Sequence, residues 1–314
     1  MTESVPPDLM VETTEKAPEG EPSKLVVRSL RQDAWRELRA KPLFWVSAFI
    51  IAVFVLMAVA PGLFTNTDPR EAVLSEFSKA PDGENWFGRD RQGYDIYSRC
   101  IYGARASILV GLLATIGTAA LGSVLGLIAG YAGGAVDGII SRVSEIFFAL
   151  PLILGAIIIL YTLRGDDDGY FWIIGQVVVV LVVLGWPGIF RLMRSSVLQI
   201  KPNDYVQAAR ALGASPTRIS FKHILPNAVG PVIVVTTINL GAYISAEAAL
   251  SFLGIGLRPP TVSWGVMISD ATQSMRSAPW TLWFPAAFLS IAVLGFIMLG
   301  DVVRDAFDPK SRAR

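Results

Sequence analysis

The residue types that do most protein chemistry are nearly missing from this chain. Its 314 residues hold one cysteine, Cys100, and one histidine, His223. A single cysteine excludes an internal disulfide and a cysteine-based metal site. A zinc site, a Ser-His-Asp triad or a histidine proton relay needs more than one histidine supplies. No G-x-x-x-x-G-K-[ST] run is present, so the chain does not cradle ATP by that route. Asp166, Asp167 and Asp168 stand together in RGDDDG. The other ligands of a calcium loop are absent there, and a solvated hairpin is the better account. The expectation is a chain without catalytic residues, metal or cofactor of its own: the passive partner of an energised one.

The elements that would position such a partner are membrane helices. Hydrophobic residues make up 53% of the sequence and charged residues 17%, against about 25% charged in a soluble domain. Net charge is +1, which gives no general case for nucleic-acid binding. Six apolar spans are expected at about 43–63, 106–131, 139–163, 171–192, 228–248 and 284–303, the first containing 18 residues without a charge. Residues 43–308 form the membrane-spanning unit. Residues 1–42 form an N-terminal tail, polar and disordered to about Ser23. A basic, Trp35-containing amphipathic helix follows to Lys41, either lying on the bilayer surface or serving as a solvated linker. Residues 309–314 form a short C-terminal tail. Pro151 should kink the third span. Gly122, Gly126 and Gly130 recur at four-residue spacing and bare one helix face, either for internal packing or for a seam with a second subunit.

Between spans four and five the chain turns polar: Asn203 to Asn227, NDYVQAARALGASPTRISFKHILPN. Two short helices are expected. Asp204 caps the first, and Gln207 reaches back to complete a capping box, which Glu in its place would also do. Tyr205, Ala208, Ala209 and Leu212 share a face. Gly213 stops the helix with positive φ. Ser215 caps the second helix, with Pro216 at its first position, and Leu225-Pro226 hands over to span five. The stretch reads as an ordered loop, as a DNA-binding helix-turn-helix, or as a docking element. Tethering at both ends to membrane spans disfavours the DNA reading.

Gln207-Ala208-Ala209, Gly213 and Leu225-Pro226 resemble the Glu-Ala-Ala loop of ATP-binding-cassette importer permeases, with matching spacing throughout. The acidic position is Gln207 here, so any charge contact with a partner must come from Asp204 or Arg210. The resemblance implies that this loop, His223 included, docks on an ATPase subunit. A second block, Gly88, Asp90, Gly93, Asp95, Ser98, Arg99, Gly103, Arg105 and Ser107, resembles the signature of the dipeptide, oligopeptide and nickel branch. Arg89 and Tyr94 depart from it. Read from the residues alone, Tyr94 to Tyr102 could equally be an interfacial helix. Ser251-Phe252-Leu253-Gly254, Pro259-Pro260, Ser263-Trp264-Gly265 and the tail from Gly300 to Pro309 resemble further blocks of that branch.

The resemblance implies an all-α integral membrane protein of type I importer architecture in a bacterial or archaeal plasma membrane. It also implies a homologous second permease, two ATPases that bind ATP and magnesium, and an extracytoplasmic solute-binding lipoprotein. Import of short peptides is the expected function, with nickel as the rival solute. A lone secondary carrier and a scaffold that only anchors an ATPase are the other classes considered. Charge supports the orientation independently. With the N-terminus inside, 18 of the 27 Lys and Arg residues fall on inner segments, as the positive-inside rule asks. Both termini and the docking loop are then cytoplasmic. The scarcity of ionisable residues at mid-span argues against ion-coupled transport.

Overall fold

The computed structural model describes residue 35 and residues 37–165 and 169–307. The acidic turn at Asp166–Asp168, the polar tail, most of the amphipathic helix and the last residues of the terminal block lie outside the described residues. Nine helices organise the rest: α1 (Pro42–Val59), α2 (Ile96–Ala132), α3 (Gly134–Ala149), α4 (Leu152–Leu163), α5 (Tyr170–Ile200), α6 (Asp204–Ala211), α7 (Pro216–Phe252), α8 (Trp264–Ala271) and α9 (Trp280–Phe307). Five are long and apolar enough to cross a membrane, and α3 with α4 makes a sixth candidate, bent by 90° at Leu150-Pro151.

Helix boundaries depart from the expected spans where polar residues continue a helix. α2 starts ten residues before position 106, because Asp95 caps it: its carboxylate accepts the Ser98 N–H at 2.7 Å. The stretch 96–105 is therefore the first part of a membrane-length helix, and it is buried by the segments around it rather than lying flat. α7 begins at Pro216 and does not break at Pro226. Proline lacks the N–H for the helical bond and crowds the carbonyl four residues back. Here a widened π-type turn, Ile219–Ile224, lies directly before Leu225-Pro226 and absorbs the fault. The second short helix and the fifth span are thus one element.

The core is built by α2 against α5, with α7 and α9 closing the bundle. Gly122, Gly126 and Gly130 set the closeness of the first pair. A Cβ on Gly126 would lie 2.7 Å from the Phe190 carbonyl oxygen, and one on Gly130 would lie 2.8 Å from Val197 Cβ. The bared face is thus filled by α5 of the same chain, which is internal packing and leaves no free seam along this row. α7 and α9 run antiparallel, with Gly241 against Val293 and Gly300 against Ile238. Lys41 Nζ pairs with Asp305 Oδ2 at 2.9 Å, so the start of α1 and the end of α9 share one end of the bundle. Outward faces stay apolar, as lipid contact requires: Phe49, Val59 and Ile158 are all mostly exposed.

Candidate functional site

The docking segment sits at the end of the bundle where α5 stops and α7 starts. α6 is eight residues long and begins at Asp204, with Asn203 as the residue before it. No side chain caps its first turn, so the expected capping box is not formed. Gln207 Nε2 instead donates to the Lys201 carbonyl at 2.9 Å. Gln207 therefore closes the corner between α5 and α6, and Asp204 is left exposed at the positive end of the helix.

Two expectations for the loop are met. Gly213 has φ +79°, and nothing lies within 4 Å of where a Cβ would stand. Ser215 Oγ accepts the Arg218 N–H at 3.3 Å, with Pro216 at the first helical position. The expected apolar face of α6 is different. Tyr205 is 43% exposed and Leu212 88% exposed. The anchor is Val206, fully buried among Leu127, Met193, Val197, Ile219 and Ile224. Val206 joins α6 to α2, α5 and α7 in one apolar cluster. Sequence pattern does not reveal it, because one buried residue on a short helix makes no periodicity. Ala208 and Arg210 point outward, Ala209 and Leu225 pack at the cluster's edge, and the His223 carbonyl accepts from Asn227 Nδ2 at 2.8 Å.

Lys201 and Arg194 extend the site, and neither is marked by the sequence. Lys201 Nζ donates to the Tyr131 carbonyl at 2.7 Å, at the C-terminal turn of α2, where unpaired carbonyls attract a cation. Arg194 makes a two-point ion pair with Asp137 of α3. α5 and its C-cap, directly before the loop, thus contact α3 and α2 by charge as well as packing. Long-range pairs of this kind leave no local signal in a sequence.

The signature segment forms a second constellation at the opposite end. Gly88 (φ +72°) and Gly93 (φ +82°) allow the chain to fold over itself; a Cβ on Gly93 would stand 2.2 Å from the Val73 carbonyl oxygen. Between them, Asp90 is nearly buried. Its Oδ1 accepts the N–H groups of Gln92 and Tyr94, each at 2.9 Å, and its Oδ2 meets Arg99 Nη1 at 2.6 Å. Arg99 also lies over the Tyr94 ring and 4.0 Å from Asp270 of α8. Burial pushes the Asp270 carboxyl above its usual range, with Arg99 pulling the other way. Burial likewise raises Asp95, against the Ser98 N–H that holds it charged.

Both departures from the branch signature find partners. Arg89 pairs with Glu76 at 2.7 Å and donates to the Gly93 carbonyl at 2.8 Å, and Tyr94 supplies the ring under Arg99. Ser98 Oγ donates to the Thr67 carbonyl at 2.6 Å. Gly103 admits the backbone of Ser263 and the Trp264 ring at 3.4 Å. Glu247, fully buried near the end of α7, accepts from Ser251 Oγ at 2.7 Å and Ser263 Oγ at 3.1 Å. The whole arrangement is a rigid knot that clamps α8 onto α2 and α7. It contains no acid-base pair aimed at an open space, and no cluster of three or more His, Cys, Asp or Glu fit for a metal occurs among the described residues.

Residues 122–313 match the family model of the binding-protein-dependent transport system inner membrane component, and residues 29–81 match that of the N-terminal transmembrane domain of oligopeptide transport permease C. The chain is 39% identical over 310 residues to the dipeptide transport system permease protein DppC of Bacillus subtilis, covering 98% of this chain and 94% of that one. It is 39% identical over 284 residues to the oligopeptide transport system permease protein OppC of the same organism, covering 90% and 91%. Among solved structures, an inward-facing conformation of the MetNI methionine ABC transporter shares the fold, with a TM-score of 0.54 at 20% identity over 66% of this chain and 96% of that one. A loop that leaves the bundle on a buried valine, a clamped segment at the other end and six candidate spans between them thus coincide with a match to more than half of the chain. The chain belongs to the family of inner-membrane components of binding-protein-dependent transport systems, on its dipeptide and oligopeptide permease branch.

Proposed function

We propose that this chain is one of two permease subunits of an ATP-driven importer of short peptides. The observation that carries the reading is the docking helix. α6 is anchored by Val206 and held at its corner by Gln207, yet it leaves Tyr205 and Leu212 exposed to solvent. An exposed leucine and tyrosine on a fixed, polar, projecting helix suit a protein partner. An ATPase that closes on ATP would move α6, and α6 moves α2, α5 and α7 through the shared cluster. Two alternative packings of those helices would open the path to either side of the membrane. The names of the curated relatives favour peptides over nickel as the solute. ATP and magnesium belong to two ATPase subunits, and a solute-binding lipoprotein delivers the peptide to the opposite end.

The test is purification of the tagged chain from its native membranes in mild detergent, with identification of what accompanies it. Two ATPases, a second permease and a lipoprotein carrying peptide are expected. A chain that comes out alone and moves solute in vesicles without ATP overturns the reading.

A further inference from the structure

At the end of α5 opposite the docking loop lies an open cavity of about 790 Å³. α5 has 31 residues, so the two sites are roughly 45 Å apart along its axis at 1.5 Å per residue. The walls come from the segment after α1, the first turns of α2 and α5, and the loop before α8. They are fixed. Ser98 Oγ holds the Thr67 carbonyl at 2.6 Å, and the Tyr97 hydroxyl donates to the Phe64 carbonyl at 3.2 Å.

Two arginines that line this space, Arg70 and Arg105, form no ion pair among the described residues. Arg105 uses Nε to donate to the Ala58 carbonyl at 2.9 Å, and its terminal nitrogens have no partner among the described residues. Arg70 has no side-chain partner there either. Tyr170, at the start of α5, also lines the cavity. Asp68 lies on the same wall; its Oδ1 accepts the Arg70 backbone N–H at 2.9 Å. Tyr102 and Phe171 add aromatic surface. The size falls in the range of small-molecule sites, and a few charged groups among aromatic ones are what such a site uses to orient a ligand. A concave site with separated charges of both signs complements a small zwitterion. A protein-docking face would be flatter and larger.

We propose that this cavity receives the free peptide on its way from the binding protein to the membrane path. Arg70 and Arg105 hold its terminal carboxylate, Asp68 faces its ammonium group, and the aromatic residues take its side chains. The proposal rests on the peptide reading.

The experiment uses the complete complex with its binding protein in proteoliposomes containing ATP. Dialanine is compared with its C-terminal amide, each normalised to the amount held by the binding protein. Wild type should move dialanine about tenfold faster than the amide, the worth of one charge-assisted hydrogen bond. The R70Q/R105Q variant should move both at the slower rate, while docking of the empty binding protein is unchanged. R105K, which keeps the charge, should restore most of the rate lost in R105Q. R70Q removes no contact of the described fold, so it reports on the site even where R105Q fails to assemble; it should lower the rate ratio on its own. A wild-type ratio in R70Q/R105Q overturns the proposal, as does an equal loss of empty binding-protein docking, which would make the arginines a protein contact. A wild-type complex that moves neither peptide overturns the peptide reading itself, and this proposal with it, before any variant is compared.

Discussion

The carbonyl of Lys201 accepts Gln207 Nε2 at 2.9 Å while the ammonium of the same lysine holds the Tyr131 carbonyl at 2.7 Å. One residue therefore joins the docking helix to the last turn of α2. Glutamine is used here as a donor, and Glu at 207 would set a carboxylate against a carbonyl oxygen. The sequence-based expectation that Glu is tolerated rests on a capping box that does not form. Gln207→Glu should weaken the corner by about 1 kcal/mol, the net worth of one such bond. Amide exchange across residues 203–211 should then run about five times faster. Unchanged exchange would show that the bond adds nothing to the loop.

Val206 is the one fully buried side chain of α6. Truncation to alanine removes two methyl groups' worth of burial and leaves a gap against Met193 and Ile219, costing about 2 kcal/mol locally. The membrane helices lose nothing else. Val206→Ala should keep the subunit folded but lower the amount of ATPase that co-purifies with it, and Val206→Asp should abolish it. Full ATPase recovery with Val206→Asp would place the docking contact elsewhere.

What was legible in the sequence, and what was not, divides by range. Gly213 and Ser215-Pro216 obey rules that act within four residues, and they stand where the spacing put them. Pro151 marks the corner between α3 and α4 for the same reason. The apolar spans were visible because lipid imposes a composition. The capping box failed because Gln207 is engaged at the corner as a donor to the Lys201 carbonyl, where the box would need its side-chain oxygen to accept an N–H at the start of its own helix. The start of α2 was misplaced because polar signature residues are helical there, buried by segments far along the chain. Lys201, Arg194 and Asp137 act across 57 to 70 residues, which no local pattern reports.

Gly213 is constrained by its backbone alone. Its φ is +79°, and no neighbour comes within 4 Å of the place a Cβ would take. A β-branched residue should cost about 1–2 kcal/mol there, and asparagine much less, because asparagine tolerates the left-handed region. Gly213→Val should therefore lower transport per ATP hydrolysed, and Gly213→Asn should behave as wild type. The pair separates strain from crowding: equal damage from both would mean that a partner fills the space beside Gly213.

Asp82, in the segment between α1 and α2, is held charged by its surroundings. The Asn85 N–H and Lys79 ammonium hold its carboxyl at about 2. The folded value lies below the unfolded one, so its contribution is present above the ordinary carboxylate range and is lost as pH falls from about 4 towards 2. Protection of residues 82–88 against amide exchange should be flat from pH 7 to 5, then fall below pH 4. In Asp82→Asn that fall should be absent. A loss of protection already at pH 5 would point to a different group.

Gly126 tests which surface the glycine row serves. Its added Cβ would stand 2.7 Å from the Phe190 carbonyl oxygen and 2.8 Å from Met193 Cβ, and backbone cannot give way as a side-chain tip can. Gly126→Val must therefore push α2 from α5, a fault of overpacking that costs about 1–3 kcal/mol or more. Gly138 on α3 has nothing within 4 Å, so Gly138→Ala is the matched control and should be neutral or slightly stabilising through helix propensity. Thermal unfolding of the purified subunit, in detergent and without its partners, should show a drop of several degrees for Gly126→Val and none for Gly138→Ala. If the drop appeared only in the assembled complex, the row would be a subunit seam after all, and the close approach of α2 to α5 would have to relax in the isolated chain.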